Sequence, residues 1–161
     1  MNELAFLSPG RASADAVWRS PLERALHEAP PEISDLSLTG KIEIRGDLPR
    51  SVRGAELIRI TPSRGLVLCD FTKTVELLEK LSADYLAIDV SATLAGLSVR
   101  GEQVMRRITD LDLEALPAAG AVAHIQAVVT RDGDSFALWF GQEYSDYLAE
   151  VVIDAWEGLH P

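Results

Sequence analysis

The stretch ISDLSLTGKIEIRG, residues 33–46, returns later in the chain as AIDVSATLAGLSVRG, residues 87–101. Both copies carry an aspartate two residues before a serine, and both end in arginine and glycine after a segment of alternating residue types. Period-two alternation is typical of a half-buried strand, and the final glycine suits a strand end that needs a permissive backbone. The repeat predicts that the fold contains two copies of one unit.

The segments that follow the two copies also agree in their order. Residues 57–69 read LIRI, TPSRG and LVLC, and residues 125–140 read IQAVVT, RDGDS and FALWF. Two apolar segments around a turn rich in Pro, Gly, Asp or Ser predict a β-hairpin in each half. Apolar side chains at helical spacing predict a helix after each hairpin. They are Val75, Leu78 and Leu81 in the first half, and Leu148, Val151, Val152 and Ala155 in the second.

The two half-repeats, at about residues 33–84 and 87–157, differ in the connection between opening strand and hairpin. In the second half, EQVMRRITDLDLEAL at residues 102–116 is helix-like and ends before a proline. In the first half, DLPRSVRGAE at residues 47–56 contains proline and glycine and is too short for the same helix. The sequence therefore predicts an α+β fold of two duplicated subdomains, each with a strand, a connection, a β-hairpin and a helix.

The segment ahead of both copies predicts a short amphipathic helix. Ser20, Pro21 and Glu23 stand at the offsets of an N-cap, a first-turn proline and a capping-box acid. Pro30 and Pro31 follow closely, so the helix is expected to end before them.

The N-terminal residues 1–17 show no periodicity and are expected to form an extended or mobile arm. A single domain is predicted for residues 18–161. Trp18 is a large aromatic side chain on an otherwise polar segment, and such residues are enriched at buried interfaces. Trp18 and its neighbour Arg19 are therefore the candidate partner interface.

The composition is that of a folded, acidic protein. Of 161 residues, 47% are hydrophobic and 25% are charged, and the net charge is −10. Nucleic acids and anionic membrane surfaces need clustered basic residues, and the only such cluster is Arg106 and Arg107, so neither is an expected partner. No apolar run approaches the ~20 residues that cross a bilayer, and the N-terminus does not resemble a secretory signal. We expect a cytoplasmic protein.

No motif typical of a catalytic, cofactor-binding or metal site stands out. The chain lacks the G-x-G-x-x-G and P-loop spacings, and His27, His124 and His160 are far apart. His124 falls in a predicted strand, where a structural or surface role is favoured over catalysis. Cys69 lies between apolar neighbours and is expected to pack as a small hydrophobe. We expect no catalytic, cofactor-binding or metal-binding residue in this chain.

Recurring acids and one tryptophan have structural interpretations. Asp35 and Asp89 occupy the same place in the two copies and suggest acid–base chemistry, but an aspartate just before a strand often accepts a hydrogen bond in its own turn, and we favour the turn. Asp110 and Asp112 are better interpreted as a helix end and loop than as a carboxylate pair, because residues two apart on a helix do not face each other. Trp139, in a hairpin strand, is expected in the core.

Several blocks of this sequence are similar to the gamma subunit of heterotetrameric sarcosine oxidase. The blocks are DVSATLAGLSVRG at residues 89–101, LDLEALPAAGAVAHIQAVV at 111–129 and YSDYLAEVVIDAW at 144–156, with RSPLERAL at 19–26 and IRGDLP at 44–49. The aspartate–hydroxyl starts DLS and DVS and the strand–glycine–helix step also resemble the folate-binding domain of the glycine-cleavage T protein. The resemblance runs from about residue 18 to residue 157.

This resemblance implies a fold like the folate-binding domain of the T protein, with antiparallel or mixed sheets and two subdomains that can exchange their first strands. It also implies a non-catalytic small subunit, whose larger flavoprotein partners oxidise an N-methyl amine such as sarcosine and transfer the one-carbon unit to tetrahydrofolate. FAD, FMN, NAD and tetrahydrofolate would be bound by those partners and none by this chain alone. N-methylglutamate dehydrogenase has a related small subunit, which leaves the amine open.

The sequence departs from the family pattern in two places. The first half lacks the helix after its opening strand, and GQEYSDY at residues 141–147 stands where related gamma subunits usually carry an arginine-containing segment. Two other functions therefore stay open: a stand-alone folate-binding or aminomethyltransferase-like protein, and an independent homodimeric scaffold. Tetrahydrofolate binding by the isolated chain would favour the first, and a stable homodimer without other partners would favour the second.

Overall fold

The computed structural model describes residues 19–160, so the predicted arm at residues 1–17 and Trp18 lie outside the described residues. Residues 19–160 form an α+β fold with two antiparallel sheets and three α-helices. The predicted α+β class is confirmed, and the likeness to the folate-binding domain stays a prediction. No helix in this range is long and apolar enough to cross a membrane.

The order of the elements follows the two half-repeats. The first half contains β1 (Ile33–Asp35), β2 (Thr39–Arg45), β3 (Glu56–Thr61), β4 (Arg64–Asp70) and α1 (Thr74–Leu81). The second contains β5 (Leu86–Asp89), β6 (Leu94–Arg100), α2 (Glu102–Ile108), β7 (Ala118–Val122), β8 (Ile125–Asp132), β9 (Ser135–Gly141) and α3 (Ser145–Glu157). A single 3₁₀ turn precedes each of α1 and α3, at Phe71–Lys73 and Gln142–Tyr144.

Both predicted hairpins are present, β3–β4 and β8–β9, and each is followed by its predicted helix. The β8–β9 hairpin turns at Gly133, whose φ of 59° lies in the left-handed region that glycine adopts at least cost. The β3–β4 hairpin contains a register shift between Arg59 and Thr61. The sequence pattern of apolar segment, turn and apolar segment was therefore a sound predictor of local structure.

The two halves of the chain exchange their opening strands. Sheet I has the strand order β3-β4-β2-β5, and sheet II has the order β1-β6-β9-β8-β7. Strand β1 of the first half thus pairs with β6 of the second, and β5 of the second half pairs with β2 of the first. Each copy of the repeated stretch therefore runs from one sheet into the other, which ties the two halves together.

The core has three parts because apolar side chains alternate along the strands. Helix α1 covers the outer face of sheet I, where Ile42, Ile44 and Val67 are buried. Helices α2 and α3 cover the outer face of sheet II, where Phe136 and Leu138 are buried. The inner faces meet through a third cluster of buried side chains, Ile58, Leu66, Leu68 and Trp139. The layers are therefore helix, sheet, sheet and helices.

The predicted helix ahead of the repeats is not formed. Residues 21–28 are a series of turns, although the Oγ of Ser20 does accept a hydrogen bond from the N–H of Leu22 at 3.0 Å. Only one regular helical bond follows, from the N–H of Leu26 to the carbonyl of Leu22. The turns are held in place by Leu22, which is fully buried against sheet II.

The second half departs from its prediction after α2. The helix ends at Ile108 and not at residue 116, because the following segment leaves the helix to run along β7. Strand β7 itself was not predicted, since its Ala- and Gly-rich sequence has no strand pattern. His124 was predicted in a strand, but it lies with Ala123 in the two-residue turn between β7 and β8, at φ values of 67° and 46°.

Candidate functional site

The repeated stretches meet each other at the centre of the molecule. The Oγ of Ser37 accepts a hydrogen bond from the N–H of Gly96 at 3.2 Å, and the Oγ of Ser91 accepts one from the N–H of Lys41 at 2.9 Å. Ser37 and Ser91 are equivalent in the repeat, and so are Lys41 and Gly96 once a one-residue insertion between these positions in the second copy is allowed for. The two halves therefore exchange equivalent hydrogen bonds, as expected of an approximate twofold axis between them.

The recurring aspartates act as the sequence predicted. The carboxylate of Asp35 accepts a hydrogen bond from the N–H of Ser37 at 2.7 Å, and that of Asp89 accepts one from the N–H of Ser91 at 2.8 Å. These are Asx turns, which bring each serine into position for its bond across the sheets. The structural interpretation of both aspartates is confirmed.

Lys41 breaks the symmetry of this centre. Its side chain is fully buried, and its Nζ donates hydrogen bonds to the carbonyl oxygens of Ser37 and Thr39 at 2.7 and 2.8 Å. The Nζ also lies 5.7 Å from the centre of the Trp139 ring, within the range of a cation–π interaction. Burial lowers the pKa of Lys41 to about 8, although the charges of Asp35 and Asp89 act to raise it. A buried ammonium thus joins the two halves.

Gly96, the counterpart of Lys41, leaves room for the indole of Trp139. A Cβ atom on Gly96 would lie 2.4 Å from Cζ3 of Trp139 and 3.0 Å from the backbone of Leu36. Real Cβ atoms essentially never approach another heavy atom this closely, so the indole or the backbone would have to move. The glycine is therefore required by packing rather than by its backbone angles.

We expect Gly96→Ala to lower the free energy of unfolding by about 1–3 kcal/mol, because overpacking at a rigid contact forces side chains out of their preferred rotamers. Urea denaturation followed by far-ultraviolet circular dichroism measures this change. The control is Gly54→Ala, at a site where no atom lies within 4 Å of the added Cβ, so that its cost reflects only its backbone φ of 78°. A Gly96→Ala variant as stable as the wild type would contradict the close contact.

A cleft of about 330 Å³ opens between the two sheets beside Trp139, and we call it the inter-sheet cleft. Its walls are mostly apolar and come from both sheets, including Ile60, Leu66, Val90, Val128 and Trp139. A second cleft of about 350 Å³ also reaches Trp139 and has repeat-equivalent walls, with Leu36 in place of Val90 and Thr39 in place of Leu94. Apolar clefts with a few polar groups are typical binding sites.

Glu43 and Arg64 are the charged residues that line the inter-sheet cleft, and Glu43 is held by two arginines. Its carboxylate accepts hydrogen bonds from Arg45 at 2.7 Å and from Arg64 at 2.6 Å, and only 11% of its side chain is exposed. Burial raises the pKa of Glu43, but the hydrogen bonds and charges of Arg64 and Arg45 outweigh burial and hold the pKa below its usual value. Glu43 therefore stays ionised near neutral pH and is suited to binding, not to proton donation.

The other candidates that the sequence suggested lie outside this site. Arg19 is exposed and forms no ion pair with another described residue. His124 is exposed in its turn, and Arg106 forms an i,i+4 pair with Glu102. Cys69 is buried in β4, with its Sγ 3.8 Å from the Oγ1 of Thr74, as expected of a packed thiol. Residues 19–160 contain no group of three or more metal-ligating side chains placed to hold a metal ion.

Sequence reasoning missed Lys41, Glu43 and the two arginines around it. A weak signal for Lys41 was present, because aligning the two copies at Gly46 and Gly101 places this lysine opposite a glycine. The period-two alternation of a half-buried strand put Lys41 on the same face as Glu43 and Arg45, so its burial could not be predicted. The buried ammonium needs partners, and the carbonyls of Ser37 and Thr39 supply them. The prediction that Trp139 lies in the core is confirmed, since 4% of it is exposed.

Comparisons with known proteins find structural similarity but no match in sequence to a family model or a curated protein. A chain of heterotetrameric sarcosine oxidase from Corynebacterium sp. U-96, solved in complex with pyrrole 2-carboxylate, is 17% identical with a TM-score of 0.74, over 91% of this chain and 98% of that chain. The ligand-free regulatory subunit of aspartate kinase from Thermus thermophilus is 16% identical with a TM-score of 0.50, over 76% and 96%. At these identities, the likeness shows a shared fold.

Proposed function

We propose that this chain is a small, non-catalytic gamma-like subunit of a multisubunit flavoprotein that oxidises an N-methyl amine such as sarcosine. One observation carries the proposal: the fold matches a chain of a heterotetrameric sarcosine oxidase over almost the whole length of both chains, at a TM-score of 0.74. A match over almost all of both chains supports a role like that of the matched chain. The sequence blocks that resemble the gamma subunit support the same proposal.

The contacts of the charged groups in the central site support a structural, non-catalytic role. Glu43 is neutralised by two arginines, and Lys41 is enclosed by backbone carbonyls and the Trp139 ring. Neither group is placed to exchange a proton with a substrate, because Glu43 is held by its arginines and the Nζ of Lys41 is enclosed. Lys41 helps to join the two halves through its contact with the Trp139 ring, whereas Glu43 and its arginines lie within sheet I. In this proposal the oxidation is left to other subunits.

In this proposal the partners are larger flavoprotein subunits of a heterotetramer. They bind FAD, FMN, NAD and tetrahydrofolate, carry out the oxidation and transfer the one-carbon unit, and this chain alone binds none of these cofactors. Trp18 and the exposed Arg19 are proposed to contact a partner subunit.

The experiment is co-purification of the tagged chain from its own cell extract, with an absorption spectrum of the purified material. We expect larger chains with flavin absorbance, and we expect both to be lost when residues 1–18 are deleted. A chain that purifies alone and colourless would contradict the proposal. Tetrahydrofolate binding by that isolated chain would then favour the stand-alone folate-binding alternative, and a stable homodimer would favour the scaffold.

A further inference from the structure

The two sheets leave four edge strands, which are β3 and β5 in sheet I and β1 and β7 in sheet II. An edge strand presents unpaired N–H and C=O groups to any other extended chain. Proteins that avoid such pairing shorten the edge, cover it, or place charges and bulges on it. The four edges can therefore be compared by how well each is protected.

Three of the four edges are protected. Strand β3 carries Arg59 and a register shift next to it, and β1 is only three residues long. The outer side of β7 is covered by the segment after α2, because Thr109 forms a bridge with Val122 and Leu111 packs directly over Gly120. Each of these three strands therefore has an edge that is very short, irregular or covered.

Strand β5 is the exception among the described residues. Its four residues, LAID, contain no basic residue, proline or bulge, their one charge is Asp89 at the end, and within the described chain the strand pairs with β2 alone. Leu86 is 60% exposed and Ile88 is 43% exposed. Leu86 pairs with Arg45 and Ile88 pairs with Glu43 of β2, so both side chains lie on the same face of sheet I as Glu43. This is the inner face, and the two side chains extend it beyond the inter-sheet cleft. Large apolar side chains at an open edge are typical of an interaction site.

The charges around β5 select the kind of partner. Asp84 and Asp89 are exposed at the two ends of the strand, and Asp84 forms no ion pair with a described residue. A second copy would bring the same aspartates and another net charge of −10 to this edge, and like charges oppose self-association. A strand with basic residues flanking its apolar side chains would meet complementary charges.

We infer that β5 is the docking edge for an extended segment of the flavoprotein partner, which adds to sheet I as a fifth strand. The apolar side chains of this segment pack against Leu86 and Ile88, and a basic residue lies near each of its ends. This inference rests on the proposed function for the identity of the partner. Strand addition supplies main-chain hydrogen bonds for affinity, while alternate side chains supply specificity. The aspartates fix the position of the added strand.

The test compares hydrogen–deuterium exchange of the full chain alone with that of the co-purified complex. The β5 amides that do not bond to β2 are expected to exchange rapidly in the isolated chain and to be protected in the complex. Ile88→Lys is expected to weaken retention of the flavoprotein by about tenfold or more, since a buried apolar contact is lost and a repelling charge is gained. Val75→Lys, at a residue 67% exposed on α1, is the matched control and should retain the partner.

A second arm tests the edge without the partner. The probe is a synthetic peptide of alternating Val and Thr with a lysine at each end, which should protect the β5 amides of the wild type but not those of Ile88→Lys. Asp84→Asn should weaken this protection and its salt dependence, whereas Glu79→Gln on α1 should leave both unchanged. Equal protection by a peptide with glutamates at its ends would contradict the charge selection.

The outcomes separate the two proposals. If no flavoprotein is retained, the proposed function fails, and the peptide arm still decides whether β5 accepts a strand. A retained partner that leaves β5 unprotected overturns the docking edge alone. Protection of β5 that grows with chain concentration would assign the edge to a second copy, and β5 exchange that rises when residues 1–18 are deleted would assign it to this chain's own N-terminal segment. Either result overturns the inference.

Discussion

Replacing Trp139 by alanine is expected to lower the free energy of unfolding by about 3–5 kcal/mol, the range for removing a buried aromatic side chain. Trp139 is the largest member of the cluster that joins the inner faces of the two sheets, and it borders both clefts between them. Removing it would merge these clefts into a larger void and expose the Nζ of Lys41, which lies 5.7 Å from the ring. Urea denaturation followed by far-ultraviolet circular dichroism measures the loss.

The control for this prediction is Trp139→Phe. The indole Nε1 is buried without a hydrogen-bond partner among the described residues, so phenylalanine loses volume but no hydrogen bond. We expect this variant to cost about 1–2 kcal/mol, well below the cost of alanine. If the alanine variant lost no more than the phenylalanine variant, the two sheets would be held together by their backbone exchange and not by this side chain.

The backbone pattern was largely predictable because local signals decide it. The repeated stretch, the two Pro-, Gly- and Asp-containing turns and the helical spacing in α1 and α3 all act within a few residues of one another. The Asx turns at Asp35 and Asp89 belong to the same class, since each carboxylate bonds an N–H two residues away. These features need no knowledge of what packs against them.

The sequence-based predictions failed at segments whose conformation is set by contacts with distant parts of the chain. Strand β7 forms because β8 and the segment at Thr109 pair with it, although its own residues have no strand pattern. Residues 21–28 resemble a helix start, but the burial of Leu22 against sheet II holds them as turns. Lys41 is buried because a loop and the opposite sheet supply its partners. In each case tertiary contacts override the local preference.

The second large effect concerns the charge of Lys41. Its pKa is lowered from 10.5 to about 8 in the folded chain, so between these two pH values the unfolded state binds more protons than the folded state. Stability attributable to Lys41 should therefore rise as the pH increases through this window. A difference of this size corresponds to about 3 kcal/mol, gained mainly between about pH 8 and pH 10.5. Below about pH 8 the buried charge imposes its full cost.

Lys41→Met isolates this contribution, because methionine keeps an unbranched apolar stem under the Trp139 ring and removes the titrating group. The difference in unfolding free energy between wild type and variant, measured in urea from about pH 7 to about pH 10.5, should shift by about 3 kcal/mol in favour of the wild type. Groups that are common to both proteins cancel in the difference.

Lys80→Met is the matched control, since Lys80 is 67% exposed and pairs with Glu76 on the surface of α1. Its pH dependence should run parallel to that of the wild type over the same range. Should Lys41→Met also run parallel, the carbonyls of Ser37 and Thr39 would be stabilising the ammonium as well as water does. Burial of the lysine would then carry no charge-dependent cost at any pH in this range.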